Sequence, residues 1–447
     1  MTVVARVPAV GGLRSVPAPD PFARDYLLLA LRLDQHIPGL VDGYFGPADL
    51  KAQVDIGQLR AAGRLRDDAL ALRARLVEDV VEADRRSWLD AQLISLETQA
   101  AAVAGERLPY LEYVARCFAY APARYPDARF EAAAARIADL LPGAAPLADR
   151  LDAWDARFEL PVDVLPAVVD RLIERFRGAA AERFGLPDGE GVRVSLVTGQ
   201  PWSAYNWFDG GRRSRIDINT DLPVRATDLV RMVAHEAYPG HHLEQAWKEA
   251  DVVDSQGRLE SSILLLNTPE CLLSEGLANL GVRFAVAPEA HADLLVELFE
   301  WAGLPLAADP IAARETAELA VALEPARAAL VSIRGNAAIL RHADGRSHDE
   351  VLAYLCDVGR YGPAVAAKHL EFIEHPLWRT YVFVYAEGEA LLRRWLEAVP
   401  EAGRAARFGR LLHEQLTPAA VTVPGSCAVR SLLEFFRGRF QQRQKMW

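Results

Sequence analysis

Residues 235–242 read His-Glu-Ala-Tyr-Pro-Gly-His-His and follow directly on a helical run. Three of the ten histidines of the chain fall within this short stretch, beside one glutamate. A His-Glu pair on a helix, with further imidazoles one or two turns later, is the arrangement that a hydrolytic zinc site requires. The imidazoles hold the metal, and the glutamate takes a proton from the water that the metal activates. We therefore predict a Zn²⁺ site with His235 as a ligand and Glu236 as the general base.

The stretch departs from the plain His-Glu-x-x-His motif, because Pro239 stands where the second ligand is usually found. Proline lacks an N–H and clashes with the preceding turn, whereas Gly240 permits backbone angles that are closed to other residues. We expect the helix to break or bulge here, which would bring His241 into the ligand position. A straight helix would instead place His242 on the face of His235. The break favours His241 as the second ligand and leaves His242 to contact the substrate or to support a ligand.

The clustered histidines have a second interpretation, which is helix capping. An imidazolium near the last carbonyl groups of a helix interacts favourably with the helix dipole. Capping would explain a lone histidine. The adjacent Glu236 and the clustering of three imidazoles favour the metal site.

A zinc site also needs a third protein ligand and an open coordination position. The best candidate lies in residues 268–279, where Thr268 and Pro269 have the pattern of an N-cap followed by the first helical residue. Glu275 falls within the mostly apolar helix that follows, and a carboxylate buried there needs a partner. That partner is either the metal or Arg283, and the spacing alone does not decide between them.

The two motifs together resemble a bacterial family assigned to the zinc peptidases and called domain of unknown function 885. The family keeps the histidine of Pro-Gly-His and varies the next one. Its Ser-Glu-Gly-Trp-Ala helix is similar to residues 274–278, with Leu277 in place of tryptophan. The resemblance covers roughly residues 190–420. It implies His241 as the second ligand and Glu275 as the third, in the manner of gluzincin peptidases.

Weaker matches lie on both sides of these motifs. Residues 204–206 and 216–220 resemble the family's strand segment, and residues 385–388 resemble its Tyr-x-x-Gly helix. The family's Asp-x-Gly-x-His segment is absent, and residues 334–337 (Arg-Gly-Asn-Ala) stand near its place. Any role that the family gives to that segment is therefore not transferred to this chain.

The oxyanion that forms during amide hydrolysis needs a hydrogen-bond donor besides the metal. The family resemblance implies Tyr385 for this role, and Tyr381, one helical turn earlier, is the alternative. Without the resemblance, both tyrosines would be interpreted as aromatic core packing. Tyr205 and Asn206, in the strand segment, are predicted to contact the substrate.

Composition limits the classes of protein to which this chain can belong. Its 447 residues are 51% hydrophobic, and the frequent Ala, Leu, Arg and Glu favour helices. Fifty basic against sixty-one acidic residues give a net charge of −11 without a basic stripe, so nucleic-acid binding is not expected. The four cysteines lack disulfide or metal-site spacing, and we find neither a signal segment nor a run of ~20 apolar residues. These features predict a cytoplasmic protein that does not bind membranes.

We predict a mainly α-helical fold with one small β-sheet next to the zinc helix. Residues 192–198 and 215–219 alternate as strands do, and Gly210 and Gly211 supply turn chemistry between them. The edge of this sheet could pair with an extended peptide substrate, or the sheet could only cover the zinc helix. The predicted regions are a flexible N-terminal arm (1–21), an N-terminal helical region (22–188) and a zinc-hydrolase region (189–447) that comprises the sheet (190–220), the zinc helices (226–285) and C-terminal helices (310–440).

The sequence leads to one principal function and two alternatives. The principal one is a zinc-dependent metallopeptidase or amide hydrolase that acts on small peptide-like substrates. A zinc hydrolase of a non-peptide amide would use the same metal chemistry, so the sequence separates these two poorly. A non-catalytic helical scaffold is the third interpretation, although the retained base and third-ligand candidate argue against it. A homodimer is allowed but not specified by the sequence.

Overall fold

The computed structural model describes residues 20–200 and 202–423, and within them the protein is mainly α-helical, as predicted. The predicted arm therefore lies outside the described residues except for its last two positions, and so does the part of the predicted C-terminal helices beyond residue 423. The first elements are α1 (Pro21–Asp34), β1 (Val41–Tyr44), α2 (Ala48–Asp55), α3 (Ala62–Asp79), α4 (Ala83–Val103), α5 (Tyr110–Phe118), α6 (Asp127–Leu140), α7 (Leu147–Asp155) and α8 (Leu165–Phe184).

A small sheet and a second series of helices complete the described chain. The sheet consists of β2 (Gly191–Val197), β3 (Ala204–Gly210) and β4 (Arg213–Asn219). Two π-helical turns, Lys248–Ser255 and Val384–Gly388, interrupt the later helices. The remaining elements are α9 (Ala226–Glu236), α10 (His241–Trp247), β5 (Ile263–Leu265), α11 (Pro269–Ala285), α12 (His291–Trp301), α13 (Pro310–Val331), α14 (Ile333–His342), α15 (His348–Asp357), α16 (Pro363–Glu374), α17 (Trp378–Tyr381), α18 (Glu389–Glu397) and α19 (Glu401–His413).

The small sheet lies where the sequence predicts it, but it has three strands. Its order is β2-β4-β3, with β2 parallel and β3 antiparallel to β4. The alternating pattern indicates only β2 and β4. The glycine turn at residues 210–211 joins β3 to β4, so the alternating pattern places the turn correctly but misses β3, which only the family resemblance indicates, at residues 204–206.

Two further strands form where the sequence predicts only helices. β1 and β5 pair antiparallel, with Val41 opposite Leu265 and Tyr44 opposite Ile263. The register shifts between Val41 and Gly43, so Asp42 sits at a bulge. Strands of three or four residues are too short for an alternating pattern to be recognised, and their partners are more than 200 residues apart in the chain. Pairing between distant segments therefore decided this part of the fold.

The apolar side chains form two cores. α5–α8 share the larger core with the helices from α9 to α19. α1–α4 surround a smaller core, which also takes Val253, Leu259, Ile263 and Leu265 from the segment around β5. The N-terminal helices are therefore joined to the second half of the chain both by the β1–β5 ladder and by shared apolar packing.

Two further observations concern the length of the helices and the state of the cysteines. Among the helices of the described ranges, none combines the length and the apolar character that crossing a lipid bilayer demands. Cys117, Cys271 and Cys356 are free thiols. The fourth cysteine, Cys427, lies outside the described residues.

Candidate metal centre

The helix breaks where the Pro-Gly pair predicts it. α9 ends at Glu236, α10 begins at His241, and the Tyr238–Pro239 peptide bond between them is cis. Gly240 passes so close to α9 that a Cβ atom would overlap the carbonyl oxygen of His235. Only glycine fits this approach. Because of the break, α10 begins at His241. The ring of His241 then lies next to the ring of His235, with 4.6 Å between their centroids.

Three side chains with metal-ligand atoms converge at this point. The Nε2 atoms of His235 and His241 are 3.1 Å apart. Glu275, from α11, places Oε2 3.5 Å from His235 Nε2 and Oε1 3.5 Å from His241 Nε2. A tetrahedral zinc ion with ligands at about 2.0–2.1 Å separates its ligand atoms by about 3.3 Å. The 3.1 Å between the two imidazole nitrogens is close to this spacing, and each oxygen of Glu275 lies 3.5 Å from one imidazole, so the carboxylate is placed to complete a metal site.

Glu275 shows most directly that a cation fits here. Its Oε2 atom is buried and has no hydrogen-bond partner within the part of the chain that the structure describes. A carboxylate oxygen buried without a partner is energetically unfavourable. The alternative partner, Arg283, pairs instead with Glu397 at 3.3 Å. One oxygen of Glu275 thus faces the imidazoles and is free to bind a cation.

Polar contacts from α11 orient the imidazole of His235. Asn279, one turn after Glu275, is a polar neighbour of the His235 ring and acts to raise the pKa of that imidazole. The Asn279 amide also donates to the carbonyl oxygen of Tyr385 at 3.2 Å, which fixes the amide itself. Such a contact from behind sets the ring orientation that a metal ligand needs. The sequence analysis missed Asn279, although its spacing of four residues from Glu275 places both on one helix face.

A second chain of hydrogen bonds orients His241. Its Nδ1 atom lies 3.2 Å from Ser274 Oγ, and that hydroxyl donates to Glu244 at 2.5 Å. Because the hydroxyl proton goes to Glu244, Ser274 accepts the proton on Nδ1 of His241. Glu244 is also paired with Lys248 at 2.7 Å. The arrangement leaves Nε2 of His241 to face the site, as a metal ligand requires.

The electrostatics of the cluster favour one neutral imidazole, His235, and one imidazolium, His241. Burial and the charge of His241 lower the pKa of His235 to about 4, so this ring is neutral. Burial alone would lower the pKa of His241, but hydrogen bonds with Glu244 and Glu275 outweigh it and raise that pKa well above its ordinary value. Burial favours a protonated Glu275, yet the hydrogen bond and charge of His241 prevail and lower the pKa of this carboxyl. A metal ion bound by both Nε2 atoms would replace the proton between them.

Glu236 lies beside these residues and is close enough to both imidazoles to be a ligand candidate itself, besides being the predicted base. One of its carboxylate oxygens is within 4.8 Å of the facing nitrogens of His235 and His241. Burial raises the pKa of Glu236 to about 7; His241 acts against the rise, whereas the carboxylates of Glu275 and Asp42 add to it. A carboxyl group that titrates near neutral pH can both accept and return a proton. The position and the protonation behaviour suit the predicted general base.

Asp42 belongs to the same cluster, and the sequence analysis missed it. Burial raises the pKa of Asp42 to about 7, with His241 opposing and Glu275 adding to the shift. Its charge also reaches Glu236. No motif connects residue 42 to the stretch at 235–242. β1 pairs with β5 and also packs beside β3, which contacts α9, so packing between distant segments brings Asp42 to the cluster.

The two tyrosines of the predicted site occupy different positions. The hydroxyl of Tyr381 donates to Glu275 Oε1 at 2.5 Å, so Tyr381 holds the third ligand candidate instead of facing a substrate as predicted. The Tyr385 ring lies 5.4 Å from the Tyr381 ring between centroids. Its hydroxyl makes no hydrogen bond with any residue in the described ranges. Tyr385 is therefore the tyrosine at this site whose hydroxyl is free to act on a substrate.

His242 does not reach the cleft, which corrects the predicted substrate contact. Its side chain is fully buried, with Nδ1 2.8 Å from Ser214 Oγ and Nε2 3.0 Å from Glu190 Oε2. The ring also meets Tyr238 edge to face. Both ring nitrogens are thus occupied. Because α10 starts with His241 at the site, the next residue points to the opposite side, into the contact between α10 and the sheet.

Tyr205 and Asn206 are likewise placed differently from the prediction. The Asn206 amide donates to the carbonyl oxygen of Glu236 at 2.6 Å, so it fixes the end of α9. Side chains alternate along a strand, and Tyr205 therefore lies on the other face of β3. There it packs between the rings of Trp202 and Trp207, at 5.4 and 4.5 Å. Neither residue is positioned as a substrate contact at the metal centre.

Compared with known proteins, the chain matches no family model and no curated protein. It is similar to the solved structure of a putative lipoprotein from Colwellia psychrerythraea, with a TM-score of 0.49 and 15% identity over 85% of this chain and 68% of that chain. A putative lipoprotein of unknown function from Shewanella oneidensis is similar with a TM-score of 0.47 and 12% identity, over 90% of this chain and 82% of that one. Similarity of this degree supports no inference about what the chain does.

Proposed function

We propose that this protein is a zinc-dependent hydrolase that cleaves amide bonds in small peptides or peptide-like substrates. The observation that carries the proposal is the convergence of His235, His241 and Glu275, whose ligand atoms lie 3.1 and 3.5 Å apart. Two imidazoles and one carboxylate, with a further Glu236 beside them, form the ligand set and base of a hydrolytic zinc site. The same set is implied by the family that the sequence resembles.

The residues of the site have distinct roles in this reaction. A divalent ion held by the three ligands would polarise a substrate carbonyl and make a water molecule more acidic. Glu236 accepts a proton from the attacking water and then delivers it to the leaving amine. Tyr385 donates a hydrogen bond to the carbonyl oxygen as negative charge develops on it. Tyr381 keeps Glu275 in place through its hydrogen bond.

Two alternatives use the same observations. A zinc hydrolase of a non-peptide amide would share every one of these residues, because only the surrounding pocket would differ. A non-catalytic scaffold is less well supported. The Glu236 side chain forms no hydrogen bond or ion pair with the residues that the structure describes, so it stabilises no neighbouring element. A scaffold gains nothing from a carboxylate held at such a place.

The proposal is tested by metal content and hydrolysis measured on the same samples. Protein purified without chelator or nickel is expected to contain about one zinc per chain, in the wild type and in Glu236→Gln alike. Hydrolysis of a dipeptide library is expected to fall ~10²- to 10⁴-fold in the variant, the usual effect of losing a general base. No bound metal after zinc is supplied would overturn the proposal. Turnover of acylated amines without turnover of any peptide would establish the first alternative.

We also propose that the protein acts in the cytoplasm. Free thiols at Cys117, Cys271 and Cys356 support this proposal, because reduced cysteines are maintained there. The predicted partner is the small substrate alone, since the net charge of −11 disfavours nucleic acid. Fractionation of the producing cells, followed by detection of the intact chain, tests the location.

A further inference from the structure

Arg334 is a cation at the edge of the metal centre that has no acidic partner within residues 20–200 and 202–423. Its guanidinium carbon lies 5.9 Å from the centroid of the Tyr385 ring. Its one hydrogen bond runs from Nε to the carbonyl oxygen of Val331 at 3.3 Å. The side chain is partly exposed, so both terminal nitrogens remain available. A guanidinium with a free fork is suited to bind a carboxylate through two parallel hydrogen bonds.

The groups on which the charge of Arg334 acts are aromatic and imidazole rings. Its charge reaches Tyr361 and His369. Burial, followed by Arg334, lowers the pKa of His369 to about 4, so this imidazole is neutral near pH 7. Burial likewise raises the pKa of Tyr361, whose hydroxyl stays protonated. Arg334 therefore acts on rings and not on an ion-pair partner, and Tyr385 connects it to the site, because the carboxylates of Glu275 and Glu236 act on the same tyrosine.

Arg231 provides a contrast within the same site. It lies on α9, one turn before His235, and its charge acts on that imidazole. It also interacts with the carboxylates of Asp228 and Glu324. Arg231 thus acts on two protein carboxylates, whereas the charge of Arg334 acts on the rings of Tyr361, His369 and Tyr385.

The geometry points to Arg334 as the residue that binds the free carboxylate of the substrate. This inference deepens the proposed hydrolase function and rests on it. It names the substrate class as short peptides with an unblocked C-terminal carboxylate. Arg334 is a binding residue in this scheme, and it takes no part in the proton transfers.

The contacts between Arg334 and the metal centre limit the length of the substrate between the two. The Tyr385 ring is 5.9 Å from Arg334 and 5.4 Å from the Tyr381 ring, whose hydroxyl is 2.5 Å from Glu275. Placed end to end, with about 3 Å from the centre of the Tyr381 ring to its hydroxyl, these distances keep the guanidinium of Arg334 within about 17 Å of Glu275. About five extended residues span that distance. The carboxylate that Arg334 binds is therefore only a few residues from the cleaved bond. An internal bond of a long chain would not engage Arg334.

Binding of two matched peptides tests the assignment without turnover. Trialanine and its C-terminal amide are titrated calorimetrically into zinc-loaded Glu236→Gln protein, which leaves the peptides intact. The acid is expected to bind at least tenfold more tightly than the amide. Adding Arg334→Gln is expected to reduce this ratio to about one, and Arg334→Lys to keep part of it. Arg407→Gln is the matched control, because Arg407 stacks on Trp395 outside the site and its loss leaves the ratio unchanged.

The inference is overturned if acid and amide bind equally, if neither binds, or if Arg334→Gln keeps the preference. Hydrolysis by the wild-type protein separates its failure from failure of the proposed function. Equal turnover of acid and amide leaves the hydrolase standing and removes the role of Arg334. Carboxylate-selective binding without hydrolysis of any amide has the opposite meaning: the proposed function fails, and Arg334 remains an anion-binding residue.

Discussion

Replacing Gly276 with alanine is expected to disturb the fold and the metal centre together. Gly276 follows Glu275 on α11, and it faces Gly388, which lies three residues after Tyr385. A Cβ atom on Gly276 would lie 2.5 Å from the carbonyl oxygen of Gly388 and would overlap its carbonyl carbon. Backbone atoms cannot rotate out of the way, so the two segments would have to separate. A Cβ on Gly388 would meet the carbonyl oxygen of Leu272 in the same way.

The distances give the size of the effect. The separation between the added Cβ and the carbonyl carbon of Gly388 is more than about 1 Å short of the ~3.5–4.0 Å at which carbon atoms normally pack. Overpacking of this kind costs ~1–3 kcal/mol, and alanine returns ~0.5–1 kcal/mol of helix propensity. The free energy of unfolding should therefore fall by ~1–2 kcal/mol. A displacement of about 1 Å between Glu275 and the tyrosines would also reduce activity by up to ~10²-fold.

Thermal unfolding, zinc content and peptide hydrolysis measured together check this prediction. The matched control is Gly178→Ala, inside α8, where no atom lies within 4 Å of an added Cβ. The same chemical change should stabilise the protein there, by ~0.5–1 kcal/mol, because alanine reduces the entropy of the unfolded chain. The melting temperatures are thus expected to move in opposite directions. If Gly276→Ala unfolds at or above the wild-type temperature with unchanged zinc and activity, the reasoning is refuted.

Three further predictions concern the histidines and their partners. His241→Ala should lose the bound zinc while His242→Ala keeps it, as mass spectrometry of the metal would show; zinc retained by His241→Ala would contradict the ligand assignment. Because the pKa of His241 is raised well above its ordinary value, zinc binding near pH 7 should release about one proton. Calorimetric heats that do not depend on the ionisation enthalpy of the buffer would exclude this release. Burial alone would raise the pKa of Glu190, but hydrogen bonds from His242 and Tyr238 lower it to about 2. This stabilisation is complete above pH ~4.5 and is lost as the pH falls towards 2, so Glu190→Gln should lower the free energy of unfolding by about 3 kcal/mol at pH 7 and flatten its acid dependence. Urea unfolding at several pH values measures the free energy of unfolding and its dependence on pH. If this free energy changes with pH in the same way in the wild type and in Glu190→Gln, the hydrogen bonds of Glu190 are not the source of the acid dependence.

Residue types that are close in the sequence were sufficient to predict the helix break before His241 and the start of the helix that carries Glu275. Pro239 and Gly240 predict the helix break, since one cannot continue a helix and the other permits the close approach to α9. Thr268 caps α11 as predicted and accepts a hydrogen bond from the amide of Cys271. Each of these features depends on neighbours in the sequence, so the residue types alone carry the information.

Features that depend on side-chain direction or on distant pairing were not predictable in this way. Tyr205 and Asn206 are adjacent, and only the position of α9 relative to β3 determines which of them turns towards the metal centre. Tyr381 ends α17 and Tyr385 lies in the π-helical turn that follows, and of their two hydroxyls only that of Tyr381 forms a hydrogen bond with Glu275 among the described residues. Asp42 depends on a ladder with a strand more than 200 residues later. The spacing of motifs therefore identifies the ligand candidates but not the residues that surround them.

The β1–β5 ladder also bears on when the site comes into existence during synthesis. About 340 residues separate Asp42 from Tyr385. Ribosomes add ~5–20 residues per second, so roughly 20 to 70 seconds pass between the appearance of these two side chains. In the second half of that interval, once His241 has been added, the emerging chain holds the site histidines without Tyr385 and its neighbours. We therefore expect the proposed metal to bind late, to a chain that has already folded most of its helices, and not to act as the nucleus around which the nascent protein forms.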